Sequence, residues 1–264
     1  MNEFETSLLQ AAPESVLTGI PQPLRDIPLR ITDATGIVVQ VRPLRQGVLA
    51  HAPGMEKSPL VLDIDADKQA ITIWYGEGPL SSAMVSHELI HLRRDVIESI
   101  PKLAPGRFAS PSITGEVYFL ENDLEHLIVI PEDIRTFPEM EQNWTDHYKA
   151  TIQAASERGD QFALALHWAQ IRNSLPNQIE LAQALAVHLR SYGEKVVKLA
   201  EYLREDFKNA LHSKSALHEV IYRLRPDLVA EMGTARFTIE NGALERQPLT
   251  YAGEVLFDEG VTRH

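Results

Sequence analysis

The first third of the chain alternates between short β-branched runs and polar segments. One run covers residues 36–42, and two more cover residues 60–64 and 70–75. Two β-branched runs joined by a few polar residues are typical of an antiparallel hairpin. This pattern predicts a small antiparallel sheet near the start of the chain.

Beyond residue 80 the apolar residues recur at helical spacing. A serine can cap the first helix, and prolines are expected to end both helices. The predicted elements are a helix from Ser81 or Ser82 to about Ile100, a loop over residues 101–114, and a helix over residues 115–130 that Pro131 ends.

The second half of the chain is strongly helical in pattern. Its predicted helices cover residues 145–157, 160–173, 177–211 and 214–224, and the tail from residue 236 returns to β-like runs. We therefore predict an α+β protein. A small domain of sheet and helices occupies residues 1–135, and a mainly helical region of unassigned role occupies residues 136–264.

Composition narrows the chemistry that the chain can perform. The 264 residues include 44% hydrophobic residues, enough for a core, and the formal charge is -12. Because phosphate binding needs a basic surface, we expect no nucleic acid partner. The chain has no cysteine, so a metal would have to be held by histidine and carboxylate side chains.

The hydropathy pattern also bears on localisation. The start of the chain lacks the basic and apolar regions of a signal peptide, and no run approaches the roughly 18 apolar residues of a membrane helix. The sequence therefore predicts a cytoplasmic protein without a membrane partner.

The segment His87-Glu-Leu-Ile-His91 lies inside the first predicted helix. Histidines four residues apart project from one helical face, where two neutral imidazoles can share a Zn²⁺ ion. Glu88, at the edge of that face, is placed to take a proton from a metal-bound water. This HExxH pattern predicts that His87 and His91 bind zinc and that Glu88 is catalytic.

A catalytic zinc site needs a third protein ligand, and the second helix offers carboxylates. Glu121 and Glu125 are one turn apart. We assign Glu121 to the metal and Glu125 to a hydrogen bond with a ligand histidine, although the reverse assignment is open. Three further residues are weaker candidates: Glu116, Asp123 and His126.

With these residues the chain resembles the zincin metallopeptidases of the gluzincin type, in which HExxH is followed by a glutamate on a second helix. It is also loosely similar to the IrrE/ImmA-type bacterial zinc peptidases, because a strand precedes the motif and the second helix ends in Leu127-Ile-Val-Ile-Pro131. The resemblance covers about residues 59–133. It implies a zincin-like fold for residues 1–135 and a zinc-dependent hydrolase that cleaves peptide bonds.

The resemblance also suggests how a substrate would bind. In zincins the strand before the motif helix often pairs with an extended peptide, so Ile71, Ile73 and Tyr75 are weak candidates for substrate contacts. A protein or peptide substrate and a regulatory or defence role follow by analogy. The competing hypothesis is a catalytically inactive zincin-like module whose helical region binds a protein partner.

Overall fold

A computed structural model describes residues 14–44, 60–76 and 79–250 of the chain. The start of the chain, where we predict no signal peptide, lies outside the described residues, as does the β-like tail beyond residue 250. The described residues form an α+β structure, which confirms the predicted class.

The elements in the first part of the chain are short helices, four strands and one long helix. In order they are α1 Glu14–Thr18, α2 Gln22–Thr35, β1 Val39–Pro43, β2 Leu60–Asp65, β3 Ala70–Tyr75, α3 Ser82–Leu92, a π-helical turn Arg93–Ile97, β4 Lys102–Pro105 and α4 Pro111–Thr136. The remaining elements are α5 Met140–Arg158, α6 Gln161–Ser174, α7 Ile179–Ser191, α8 Glu194–Ala210, α9 Lys214–Leu224, β5 Met232–Glu240 and β6 Ala243–Thr250.

The first sheet contains the predicted hairpin. Strands β2 and β3 pair antiparallel with Leu62 opposite Ile73, as the sequence pattern predicts. Strand β1 lies on the other side of β3 and runs parallel to it, so this sheet is mixed and not wholly antiparallel. Ile71 and Ile73 on the central strand are fully buried, which accounts for the apolar run in the sequence.

The second sheet joins distant parts of the sequence. Strand β4 lies within the predicted loop and pairs antiparallel with β5, which pairs in turn with β6. Asn241 and Gly242 connect β5 to β6, and both have positive φ angles, 51° and 79°. An Asn-Gly pair with positive φ at both positions fits a two-residue hairpin turn, which sets the register of these strands.

The described residues form two compact units. The first contains the chain up to Glu121 together with the chain from Arg225 onward, and the second contains Asn122–Leu224. The first unit therefore includes the C-terminal hairpin, which the sequence-based boundary near residue 135 does not anticipate. Local pattern cannot reveal this return, because the strand that pairs with β5 is about 130 positions earlier in the sequence.

Helix α3 begins as the sequence predicts. The Ser81 hydroxyl accepts a hydrogen bond from the backbone N–H of Met84 at 3.2 Å, which satisfies one of the first free amides of the helix. Within the first unit α3 packs against α1, α2 and β2. After Leu92 the helix widens into the π-helical turn and ends at Ile97, so it stops short of Ile100.

Helix α4 is longer than its sequence predicts. It begins at Pro111 and continues through Pro131 to Thr136. A proline inside a helix removes one hydrogen bond but does not always end the helix. Here the turn after Pro131 is held by Asp133, a fully buried residue whose Oδ2 accepts a hydrogen bond from Nε1 of Trp144 at 3.1 Å.

The second unit is helical, as the pattern predicts. Helix α6 packs against α5, α7 and α8, and α8 also contacts α9. The predicted helix over residues 177–211 is two helices, α7 and α8, separated at Gly193 with a φ of 106°. This backbone conformation suits glycine because it has no Cβ. Within the described residues, no helix has the length and apolar content needed to cross a membrane.

Candidate metal centre

Helix α3 places two histidines on one face. His87 and His91 are one turn apart, and their Nε2 atoms are 3.1 Å from each other. Their rings are nearly perpendicular, with centroids 4.6 Å apart and an interplanar angle of 83°. His87 is half-buried, and His91 is buried with 7% of its surface exposed. The two nitrogens thus lie within hydrogen-bond distance of each other.

A third histidine completes this group. His126 on α4 offers a ring nitrogen, and the ligand atoms of His87, His91 and His126 all lie within 4.8 Å of one another. His126 is also buried, with 6% of its surface exposed. A group of three convergent imidazoles can bind a metal ion.

The spacing of these nitrogens can be compared with a tetrahedral zinc site. With Zn–N bonds of about 2.0–2.1 Å and tetrahedral angles, two ligand nitrogens are separated by about 3.3 Å. The 3.1 Å between His87 and His91 is close to this value. The ligand atoms of the whole group lie within 4.8 Å of one another. The donor set could therefore hold a metal ion.

Glu88 lies in the same turn of α3. It is buried, with 7% of its surface exposed, and it directly follows His87. A carboxylate in this position is one residue from one imidazole of the group and three residues from another.

Glu121 has a contact with the second sheet. Its Oε2 accepts a hydrogen bond from the backbone N–H of Leu103 on β4 at 2.8 Å, and only 4% of the residue is exposed. This bond ties α4 to the second sheet. The group that could hold a metal contains His126 with the two motif histidines. The assignment of Glu121 as the third ligand stays a prediction.

Glu125 forms an ion pair with a lysine. Its Oε1 lies 2.7 Å from Nζ of Lys214 on α9, and the two side chains are only 1% and 3% exposed. The structure therefore places Glu125 in a buried ion pair within the helical unit. The hydrogen bond from Glu125 to a ligand histidine stays a prediction.

The two weaker carboxylate candidates also have contacts elsewhere. Glu116 forms an ion pair with Arg225. Asp123 is close to Gln170 and His167; burial raises the pKa of its carboxyl group, and the charge of His167 and the Gln170 hydrogen bond oppose that rise. Burial, followed by the charge of Asp123, raises the pKa of the nearby Tyr148 hydroxyl well above its usual value. This polar cluster lies inside the helical unit.

The strand expected to hold a peptide is the middle strand of its sheet. Residues 71–75 of β3 pair with β1 on one side and with β2 on the other. Because both edges are paired, a peptide has no edge on β3 to join. Ile71 and Ile73 are buried and Tyr75 is only half-buried, which is consistent with a central strand.

His126 is a weaker candidate than Glu121 in the sequence because the resemblance to gluzincins favours a glutamate on the second helix. Two signals favour the histidine: imidazole binds zinc well, and Asn122 lies one turn before His126 on the same face. Neither signal selects a ligand from sequence alone.

Comparison of the chain with protein-family models, with curated proteins and with solved structures finds no significant match.

Proposed function

We propose that the protein is a zinc-dependent metallopeptidase. The observation that supports this proposal is the convergence of three imidazoles, those of His87, His91 and His126, beside a buried carboxylate, Glu88, on the HExxH helix. In this proposal His126 is the third ligand. The three imidazoles would hold the metal and leave one coordination position open for catalysis.

Zinc supplies Lewis acidity when it is bound: it polarises a carbonyl group and lowers the pKa of water toward about 7. Glu88 is the base that takes a proton from the attacking water. As the water oxygen bonds to the scissile carbonyl carbon and the C–N bond breaks, Glu88 delivers that proton to the departing amine. The result is a carboxylic acid and an amine, and transfer of the acid's proton to the amine leaves one carboxylate and one ammonium product at neutral pH.

The proposed substrate is a peptide or protein. This choice rests on the association of HExxH with peptide hydrolysis, and a regulatory or defence role in the cytoplasm remains part of the same analogy. The buried positions of Glu88 and His91 favour a substrate that enters as an extended segment, because a folded surface would have difficulty reaching them.

Zinc is expected to be required for cleavage by the wild-type protein. The purified chain should bind one zinc ion and should cleave members of a mixed peptide pool. The assay is run in H₂¹⁸O, and mass spectrometry detects new C-termini that carry the heavy oxygen. Chelation should abolish these products and zinc should restore them. A zinc-loaded chain that produces no labelled termini would count against peptide hydrolysis.

Replacing His126 by alanine is expected to weaken zinc binding more than replacing Glu121 or Glu125. Removing a residue that only hydrogen-bonds to a metal ligand typically weakens metal binding about 10–100-fold. Removing the ligand itself should weaken it further, so we expect zinc affinity to fall more than about 100-fold. Glu121→Gln keeps an oxygen for the Leu103 amide and should lose less than about tenfold. Zinc dissociation constants are measured by chelator competition.

The control for this series is His147→Ala. His147 is an exposed histidine whose ring lies edge-on to Trp144, 5.4 Å away between centroids. Its removal should leave zinc affinity unchanged. If Glu121→Gln weakens zinc binding more than His126→Ala, then the original gluzincin-like ligand set is correct and the three-histidine set is not.

A further inference from the structure

The surroundings of His126 hold its ring in place. The ring lies edge-on to Trp144, with centroids 4.7 Å apart and an interplanar angle of 63°. The Trp144 indole is itself anchored, because its Nε1–H donates to Oδ2 of the buried Asp133. An aromatic neighbour fixed in this way limits rotation of the imidazole plane, but it does not decide which ring nitrogen carries the proton.

Asn122 also contacts this ring. It lies one helical turn before His126, and its Nδ2 atom, as placed, is 3.4 Å from Nδ1 of His126. An asparagine carboxamide can be turned so that either its oxygen or its nitrogen faces the ring. The two orientations correspond to two imidazole tautomers, so the contact bears directly on metal binding.

Only one of the two tautomers can bind a metal through Nε2. If the NH₂ group of Asn122 donates to Nδ1, the proton of a neutral His126 is on Nε2, and no lone pair is left there. If the carboxamide oxygen accepts from Nδ1–H, the Nε2 lone pair is available. Metal-bound histidines almost always donate their second N–H to an oxygen in this way.

Neighbouring carboxylates on α4 have other described contacts. Glu121 accepts from the Leu103 amide, Glu125 pairs with Lys214, and Asp123 is close to Gln170 and His167. Asn122 is half-buried and has a described contact with Nδ1 of His126. The carboxamide is therefore placed to select the tautomer.

We propose that Asn122 is a positioning residue for the metal centre: its side-chain oxygen accepts a hydrogen bond from Nδ1–H of His126 and so presents Nε2 to the metal. This inference rests on the proposed function, because it assumes that His126 is a ligand. Asn122 is not part of the HExxH pattern. In this proposal it neither binds the metal nor touches the substrate.

The test compares two substitutions at position 122. Asn122→Leu has a similar size but no acceptor, whereas Asn122→Asp keeps the acceptor and removes the NH₂ donor. Zinc and cobalt affinities are measured by chelator competition, and the cobalt absorption spectrum reports the ligand geometry. Circular dichroism confirms that each variant is folded. The control is Asn173→Leu, since Asn173 is a half-buried asparagine that bonds to the backbone oxygens of Ala169 and Arg204.

We expect Asn122→Leu to bind both metals about 10–100-fold more weakly than wild type and to alter the cobalt spectrum. Asn122→Asp should bind at least as tightly as wild type, and Asn173→Leu should match wild type. The inference is overturned if Asn122→Leu binds within about twofold of wild type, or if Asn122→Asp binds as weakly as Asn122→Leu.

These outcomes are separate from failure of the metal site itself. If His126→Ala leaves zinc affinity unchanged, the three-histidine site is wrong and the role of Asn122 falls with it. If His126→Ala abolishes tight binding while Asn122→Leu has no effect, the site stands and only the tautomer role is overturned.

Discussion

Replacing Glu88 by glutamine is expected to reduce peptide cleavage by about 10²–10⁴-fold while zinc remains bound. Glutamine has the same shape as glutamate, so the buried position should accept it without a change in packing. Its amide cannot take up the proton of the attacking water at neutral pH. The loss should therefore appear in kcat, because no group that binds the metal or the peptide has been removed.

The measurement pairs activity with metal content in the same preparation. Cleavage of the peptide pool is quantified by ¹⁸O incorporation, and zinc per chain is measured by elemental analysis. The control is Glu98→Gln, since Glu98 lies just beyond the same helical segment, is exposed and pairs with Arg93 at 2.9 Å. That variant should cleave at the wild-type rate.

The informative comparison is between the two glutamine variants. A zinc-loaded Glu88→Gln protein with wild-type activity would show that Glu88 is not the base and that the catalytic assignment is wrong. An inactive variant that has also lost its zinc would place Glu88 in metal binding and not in proton transfer. Both results differ from the expected one, in which zinc stays and turnover falls.

The sequence predicts the elements near the motif because local signals define them. The hairpin follows from two β-branched runs, and the start of α3 follows from a serine that caps it. His87 and His91 converge because four residues make about one turn of any helix. These features depend on residues within a few positions of one another, so the local sequence pattern predicts them.

Other features depend on contacts far apart in the chain. Strand β4 falls in a proline- and glycine-rich stretch and is a strand because β5 pairs with it. Helix α4 passes Pro131 because buried contacts, including the bond from Trp144 to Asp133, stabilise the following turn. In each case tertiary contacts override the local preference of the sequence.

The proposed third ligand shows the same difficulty at the candidate site. Glu121, Glu125 and His126 occupy adjoining turns of α4, and their spacing alone does not select one of them. The amide of Leu103 binds Glu121, and Lys214 binds Glu125. Lys214 is 89 positions from Glu125 in sequence, so no spacing rule connects them.

Replacing Lys214 by methionine is expected to destabilise the protein by about 3–5 kcal/mol. Methionine has a similar length but no charge, so Glu125 would lose the cation that lies 2.7 Å away in a site where both side chains are almost fully buried. A buried carboxylate without that cation is poorly solvated, and this penalty appears as a lower free energy of unfolding. Urea unfolding followed by far-UV circular dichroism measures the change.

The double variant Lys214→Met/Glu125→Leu separates this charge effect from packing. If the cost comes from an uncompensated carboxylate, removing that carboxylate should restore most of the stability, because apolar residues of similar volume often replace a buried ion pair without loss.

Lys198→Ala is the control: Lys198 and Glu194 form an exposed pair with side chains 70% and 81% accessible, and its loss should cost no more than about 1 kcal/mol. A Lys214→Met protein as stable as this control would show that the buried pair does not stabilise the helical unit. A double variant no more stable than Lys214→Met would instead assign the cost to the packing of Lys214, since the carboxylate would be gone while the instability remained.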